Sequence, residues 1–281
     1  MNKDLEKKLH GADNYSVGSI LRGKCVSDKQ MDKLKSLDGR GKRPPRTYDW
    51  YPSDTEERFK QAPEDFQEYW NSKKHIMNYE LNSYGMRCEQ LETERESILF
   101  LGCSMTFGVG CPKHQTWPYL VAKHFGLREY NLALPGGSLD AAFRLYLAWQ
   151  RKLRSKVTIL AVPPGYRLEK VTGIGHQLLS CQTLGVWNLP SDEDPKIQRE
   201  WMTDSGNQLN DSNIYLNYNK NIFGIESIAK ETDSLFHRVS WSNIKYRFMQ
   251  GQKNARDRAH PDATWHENIA QAVINELQDK L

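Results

Sequence analysis

Between residues 97 and 165 three short apolar runs each stop at glycine or proline, with helix-length amphipathic stretches between them. Parallel strands cannot be joined by a tight hairpin and need a crossover, usually a helix. The alternation therefore predicts a parallel sheet covered by helices. The first run, Ser97-Ile98-Leu99-Phe100-Leu101, is almost continuously apolar, as a strand buried on both faces must be. It ends at Gly102 and delivers Ser104 into a loop. Residues 130–134 form the second run, halted by Pro135-Gly136-Gly137. Residues 157–162 form the third and clearest, halted by Pro163-Pro164-Gly165. Open α/β sheets hold ligands beyond the carboxyl ends of such strands, which is where a reactive Ser104 would be useful.

Thr116-Trp117-Pro118 predicts a helix start, with a threonine cap and a proline in the first turn. Ser138 or Asp140 starts a longer helix with Leu139, Phe143, Tyr146, Leu147 and Leu153 at helical spacing. Residues 222–229 read as helix, 235–239 as strand and 264–281 as an amphipathic closing helix. Residues 171–211 show no clear period and read as an insertion or lid.

Upstream, residues 1–45 are strongly polar and are expected to form a loosely attached, partly disordered arm. Residues 48–90 are expected to be helical with a hairpin. Ser53 and Glu56 have capping-box spacing, residues 63–73 predict a second helix, and residues 76–81 a strand before the turn Asn82-Ser83-Tyr84-Gly85. The expected division is an N-terminal extension over residues 1–92 and an α/β domain over residues 93–281.

Composition removes several function classes. No apolar run approaches the roughly 18 residues that span a bilayer, and the charged first ten residues lack the apolar stretch of a secretory signal. The five cysteines are odd in number and contain no C-x-x-C pair, against a disulfide framework or zinc ribbon. A cytoplasmic setting is expected. The net charge of +4 is small for 281 residues, and the clusters at residues 40–43 and 151–154 read as solvated surface, so no nucleic-acid partner is expected.

A serine becomes a useful nucleophile when a base takes its proton and a third group fixes that base's tautomer. Asp257-Arg258-Ala259-His260-Pro261, in a polar loop before the last helix, supplies both, since a spacing of three lets carboxylate and imidazole meet within one turn. His266 is a weaker alternative base. An oxyanion formed at Ser104 would need preorganised donors, and the backbone N–H groups of Ser104 and Gly136 are candidates. Gly136 and Gly137 also read as a plain turn.

Together these residues resemble the SGNH hydrolases, also called GDSL esterases, over the chain from about Glu96 to its C-terminal end. Gly102-Cys103-Ser104 resembles the Gly-Asp-Ser block. Asn131 and Gly136 resemble the second block, and Asp257, His260 and Pro261 the last. The segment from Tyr79 to Arg87 also looks like a hairpin that precedes the serine block in some members. Two departures stand out. Cys103 replaces the family's Asp, and no Asn occupies the third block, where Arg167 could supply a donor held by Glu169 or another carboxylate. Arg167 equally reads as a surface or ion-pairing residue.

The resemblance implies a three-layer α/β/α sandwich with a central parallel sheet, SGNH/flavodoxin-like, and a serine esterase. Its substrates would be small-molecule or carbohydrate esters, O-acetyl sugars among them. Ser104, His260 and Asp257 would be the triad, with Ser104, Gly136 and Arg167 around the oxyanion and no metal or organic cofactor. An O-acyltransferase, or a ligand-binding protein that keeps the fold without catalysis, are the alternatives. Trp187 and Trp201 could line a substrate cleft or pack in the core.

Overall fold

The computed structural model describes residues 28–72, 77–93, 95–174, 177–184, 211–239 and 255–281. Ahead of the main sheet come α1 (Asp28–Lys35), β1 (Arg46–Tyr48), α2 (Glu56–Lys60), α3 (Glu64–Asn71) and β2 (Tyr79–Leu81). The sheet region then runs β3 (Ser97–Leu101), α4 (Ser104–Phe107), a 3-10 turn (Lys113–Gln115), α5 (Trp117–His124), β4 (Arg128–Asn131), α6 (Leu139–Leu153) and β5 (Val157–Ala161). It continues with a hairpin of β6 (Leu168–Ile174) and β7 (Gln177–Leu184), then α7 (Asp211–Glu231), β8 (Leu235–Val239) and α8 (Ala263–Leu277). No helix among the described residues is long and apolar enough to cross a membrane.

The main sheet has the order β4-β3-β5-β8, with every pair parallel. Every residue of β3 and β5 is buried, which is why these segments are apolar on both faces. Alternation along β3 feeds two cores. Ile98 and Phe100 pack with Trp117, Val121, Trp265 and Ile269 of α5 and α8. Leu99 and Leu101 pack with Leu145, Trp149, Ile225 and Ile228 of α6 and α7. The result is the expected three-layer α/β/α sandwich. From β3 the chain goes to one side for β4 and then crosses to the other side for β5. That reversal opens a crevice at the carboxyl end of β3, the strand that runs into Ser104.

Several local expectations need correction. In its described part the arm of residues 1–45 is docked rather than loose. The buried guanidinium of Arg144 on α6 donates to the carbonyls of Leu34 (2.5 Å), Ser36 (2.9 Å) and Leu37 (3.1 Å), and Trp149 Nε1 donates to Lys35 O at 2.9 Å. The cap of α2 is Thr55, whose hydroxyl accepts from Arg58 N at 3.3 Å, and not Ser53. The region expected to lack a period begins with the β6–β7 hairpin, antiparallel and bulged between Thr172 and Gly173. Its polar Thr, Ser and Gln residues hide the strand alternation from sequence.

One buried acid makes the fold pH-sensitive. Glu129 on β4 is 9% exposed, neither carboxylate oxygen has a hydrogen-bond partner among the described residues, and the facing cation, Lys113, lies 3.7 Å away. Burial pushes its pKa up to about 7 from 4.5, against the opposing pull of Lys113. The folded chain thus holds this proton more tightly than the unfolded chain. Its contribution to stability is greatest below about pH 4.5 and falls as pH rises to about 7. Glu129→Gln is expected to raise stability relative to the parent by an amount that grows across that window to about 3 kcal/mol and then levels off. Urea unfolding of both proteins from pH 4.5 to 8 checks this, and a pH-independent difference would contradict it.

Candidate active site

The strand β3 stops at Gly102 for a steric reason. A Cβ there would lie 2.2 Å from Thr106 Oγ1 and 3.2 Å from Ala161 O, so only glycine lets α4 fold back over the strand end. Cys103 is the N-cap residue, with its carbonyl accepting from Thr106 N (3.0 Å) and Phe107 N (2.9 Å), and its thiol is buried and free. Ser104 is therefore the first helical residue and is half-buried. Its N–H and hydroxyl make no hydrogen bond among the described residues, as expected for an N–H in the first turn of a helix.

The far end of this turn is held by the segment from Tyr79 to Arg87, together with Asp54 and Arg256, which sequence reasoning did not single out. Arg87, 1% exposed, donates to the carbonyls of Phe107 (3.2 Å), Gly108 (2.5 Å), Cys111 (2.8 Å) and Asn78 (3.1 Å). Its guanidinium also lies 4.6 Å from the centroid of Tyr79 and 5.6 Å from that of Phe107. The turn before it is set by Asn82, whose Oδ1 accepts from Tyr84 N and Met86 N, with Gly85 at φ +84°. Tyr79 OH accepts from Gly110 N at 2.9 Å and donates to Asp54 at 2.6 Å. Asp54 in turn receives Arg256 Nε and a terminal guanidinium nitrogen at 3.0 and 2.7 Å. No local pattern in the sequence pairs Arg87, Asp54 and Arg256 with these groups, because the partners are far away in the chain.

The predicted acid–base pair is in contact. Asp257 Oδ2 and His260 Nδ1 are 2.5 Å apart. Asp257 Oδ1 accepts from Ala259 N (3.2 Å) and His260 N (3.0 Å), so the loop satisfies its own buried carboxylate. The loop closes through Ala255 N donating to His260 O at 2.8 Å, with Arg258 at φ +59°. It also docks on the serine loop, since Arg256 N donates to Gly110 O at 3.0 Å and Cys111 Sγ lies 3.4 Å from Pro261 O.

Gly110 makes that docking possible. It sits at φ +78°, and a Cβ would come within 2.6 Å of Ala255 Cβ and 2.9 Å of Asp257 Oδ1. Gly110→Ala is expected to displace the Asp257 loop and lower the catalytic efficiency proposed below by about 100-fold. A stability loss of roughly 1–3 kcal/mol should accompany it. Ester kinetics and urea unfolding of the variant check both.

His266, the alternative base, has a structural role. Its Nδ1 accepts from Trp117 N at 3.2 Å, and burial pushes its pKa down to about 3, so the ring stays neutral. It caps α5, a task that the Thr116 hydroxyl, donating to Lys113 O, leaves open.

Beside the serine turn, Leu134 N donates to Gly102 O at 3.1 Å, and Asn131 Nδ2 donates to Thr106 O at 2.9 Å. Residues 134–137 form a turn closed by Gly137 N donating to Leu134 O at 2.7 Å, with Gly136 at φ +72°. Proline second and a positive-φ glycine third is the type II pattern. The turn reading is thus realised, and it leaves the Gly136 N–H without a hydrogen bond among the described residues. Arg167 follows β5, its N–H donating to Pro164 O at 3.2 Å. The expected Glu169 partner is engaged elsewhere, bidentate to Arg144 at 2.8 Å on each arm. Trp187 and Trp201 lie outside the described residues.

The sequence matches no protein-family model and no curated protein. Among solved structures the chain is similar to TesA, with 13% identity and a TM-score of 0.35 over 66% of this chain and 99% of that one. It is also similar to a GDSL-like lipase from Bacteroides thetaiotaomicron VPI-5482 (11%, 0.33, over 66% and 90%). A third is an active-site mutant of a family two carbohydrate esterase from Clostridium thermocellum (11%, 0.36, over 72% and 67%). At such low identity and overlap these are likenesses in outline, and the chemistry rests on the side chains above.

Proposed function

We propose that this chain is a serine ester hydrolase of SGNH type. The observation that carries the reading is the buried Asp257 bonded to His260 in a loop docked, through Gly110, on the turn that presents Ser104. Asp257 holds the Nδ1–H tautomer, which leaves Nε2 as the base. His260 Nε2 takes the Ser104 proton as the hydroxyl oxygen attacks the acyl carbon. The oxyanion is met by the N–H groups of Ser104 and Gly136, with Arg167 as a third donor in place of the family's Asn. Collapse of the tetrahedral intermediate expels the alcohol, which takes the proton from His260. Water, deprotonated by the same imidazole, then attacks the acyl-enzyme and releases the carboxylic acid. Small-molecule or carbohydrate esters, O-acetyl sugars included, are the substrate class.

A fluorophosphonate probe tests the nucleophile directly. Labelling of Ser104 in the folded protein, abolished by urea, is the expected result. Failure to label folded protein would overturn the proposal.

A further inference from the structure

A cleft of about 330 Å³ lies against the oxyanion turn and has no role in the chemistry above. Arg40, Arg43 and Arg46 line it, against one carboxylate, Asp38. Asp38 pairs closely with Arg43 and lies 3.8 Å from Arg40, which leaves two positive charges in excess among the described residues that line the cleft. Arg46 donates to Tyr48 OH at 3.2 Å and keeps its remaining donors at the exposed surface. These arginines stand on a fixed backbone. Gly41 N donates to Ser36 Oγ at 2.9 Å, Arg43 N donates to Ser83 O at 2.8 Å, and Pro44 and Pro45 restrict the chain between Arg43 and Arg46.

Aromatic rings, Tyr48, Trp50 and Tyr51, complete the wall. Ser104 and His260 do not line the cleft, which is tied to the serine turn through two of its lining residues. Leu134, the first residue of the oxyanion turn, is a lining residue, and Tyr51 lies with its ring centroid 5.0 Å from that of Phe107 in α4. A second depression, of about 750 Å³, shares Arg43, Pro44 and Ser83. It repeats the pattern with Lys42, Lys152 and Trp149, opposed by Glu92.

We propose that this cleft holds the alcohol part of the substrate and that this alcohol is an acidic saccharide, bearing carboxylate or phosphate. Guanidinium groups bind either anion with paired charge-assisted hydrogen bonds, and aromatic faces accept the apolar face of a sugar ring. O-acylated acidic sugars combine an esterified hydroxyl, an anion and an apolar ring face in one molecule. The inference rests on the ester-hydrolase reading for its ester, but not for its binding.

Two matched pairs test it, acetylated methyl galacturonate against acetylated methyl galactoside, and acetylated glucose 6-phosphate against acetylated glucose. In at least one pair kcat/KM is expected to favour the anion by on the order of tenfold or more. That ratio should shrink toward one in about 0.5 M salt and in the Arg43→Gln/Arg46→Gln variant. The pair that responds identifies the anion as carboxylate or phosphate. Equal values within both pairs, or a ratio that the variant keeps, overturn the proposal. If no ester is cleaved, calorimetric titration with galacturonate oligomers and glucose 6-phosphate separates the two ideas. Binding that the variant loses keeps the cleft and removes the hydrolase reading, and no binding removes the cleft as well.

Discussion

Ser104→Ala is expected to lower kcat/KM for a short-chain ester by about 10⁴-fold or more, with urea unfolding close to that of the parent. The side chain is half-buried and its hydroxyl bonds to nothing among the described residues, so its loss removes chemistry and little structure. Asp257→Asn should approach the same deficit, about 10⁴-fold, for a different reason. Three hydrogen bonds fix the carboxylate, and an amide in its place offers an N–H where His260 Nδ1 now has an acceptor. The imidazole would then settle in the tautomer that cannot take the serine proton. On the proposed mechanism the residues work as one unit, so the double variant should be scarcely worse than Ser104→Ala alone. Full additivity of the two losses would show that Asp257 and Ser104 act in separate processes.

Arg87→Met should be the most damaging single change to stability, at roughly 3–5 kcal/mol by urea unfolding. A buried cation with no carboxylate in hydrogen-bond contact among the described residues is costly in itself, and burial lowers its pKa. It is tolerated because four carbonyls converge on it, three of them from the stretch just after Ser104. Methionine fills similar volume but removes the donor that these carbonyls share, although Gly108 O keeps a second donor in the N–H of Cys111, at 3.2 Å. Arg87→Lys keeps the charge yet cannot fork to Phe107, Gly108, Cys111 and Asn78 together, so it should rescue only part of the loss. A destabilisation below about 1 kcal/mol for Arg87→Met would mean that solvent replaces these bonds easily.

The parts of this molecule that sequence disclosed are those governed by local rules. Strands β3 and β5 are buried on both faces, and their residues record it one by one. Asp257 and His260 could be paired because they lie three apart in one loop. Gly102 and Gly136 stood out because a missing side chain is visible in the letters themselves. What stayed hidden depends on partners far along the chain. Arg87, Asp54 and Arg256 look like ordinary surface charges until the fold brings them together, and Glu169 sits two residues from Arg167 but bonds Arg144 on α6 instead. The short, charged helix α1 offers only Met31 and Leu34 at helical spacing, and the carbonyls that meet Arg144 belong to backbone that carries no side-chain signature.

The bond between Arg256 and Asp54 spans 202 residues, and the thiol–carbonyl contact from Cys111 to Pro261 spans 150. Contacts at such separation form late, after the loop-closure entropy has been met. A nascent chain that has already made β3 and Ser104 still lacks Asp257 and His260, which follow far downstream in the sequence. On the proposed mechanism the serine stays inert until that loop has been made and has docked. Ester hydrolysis would serve as a readout of that docking, silent in any intermediate in which the Asp257 loop has not met Gly110.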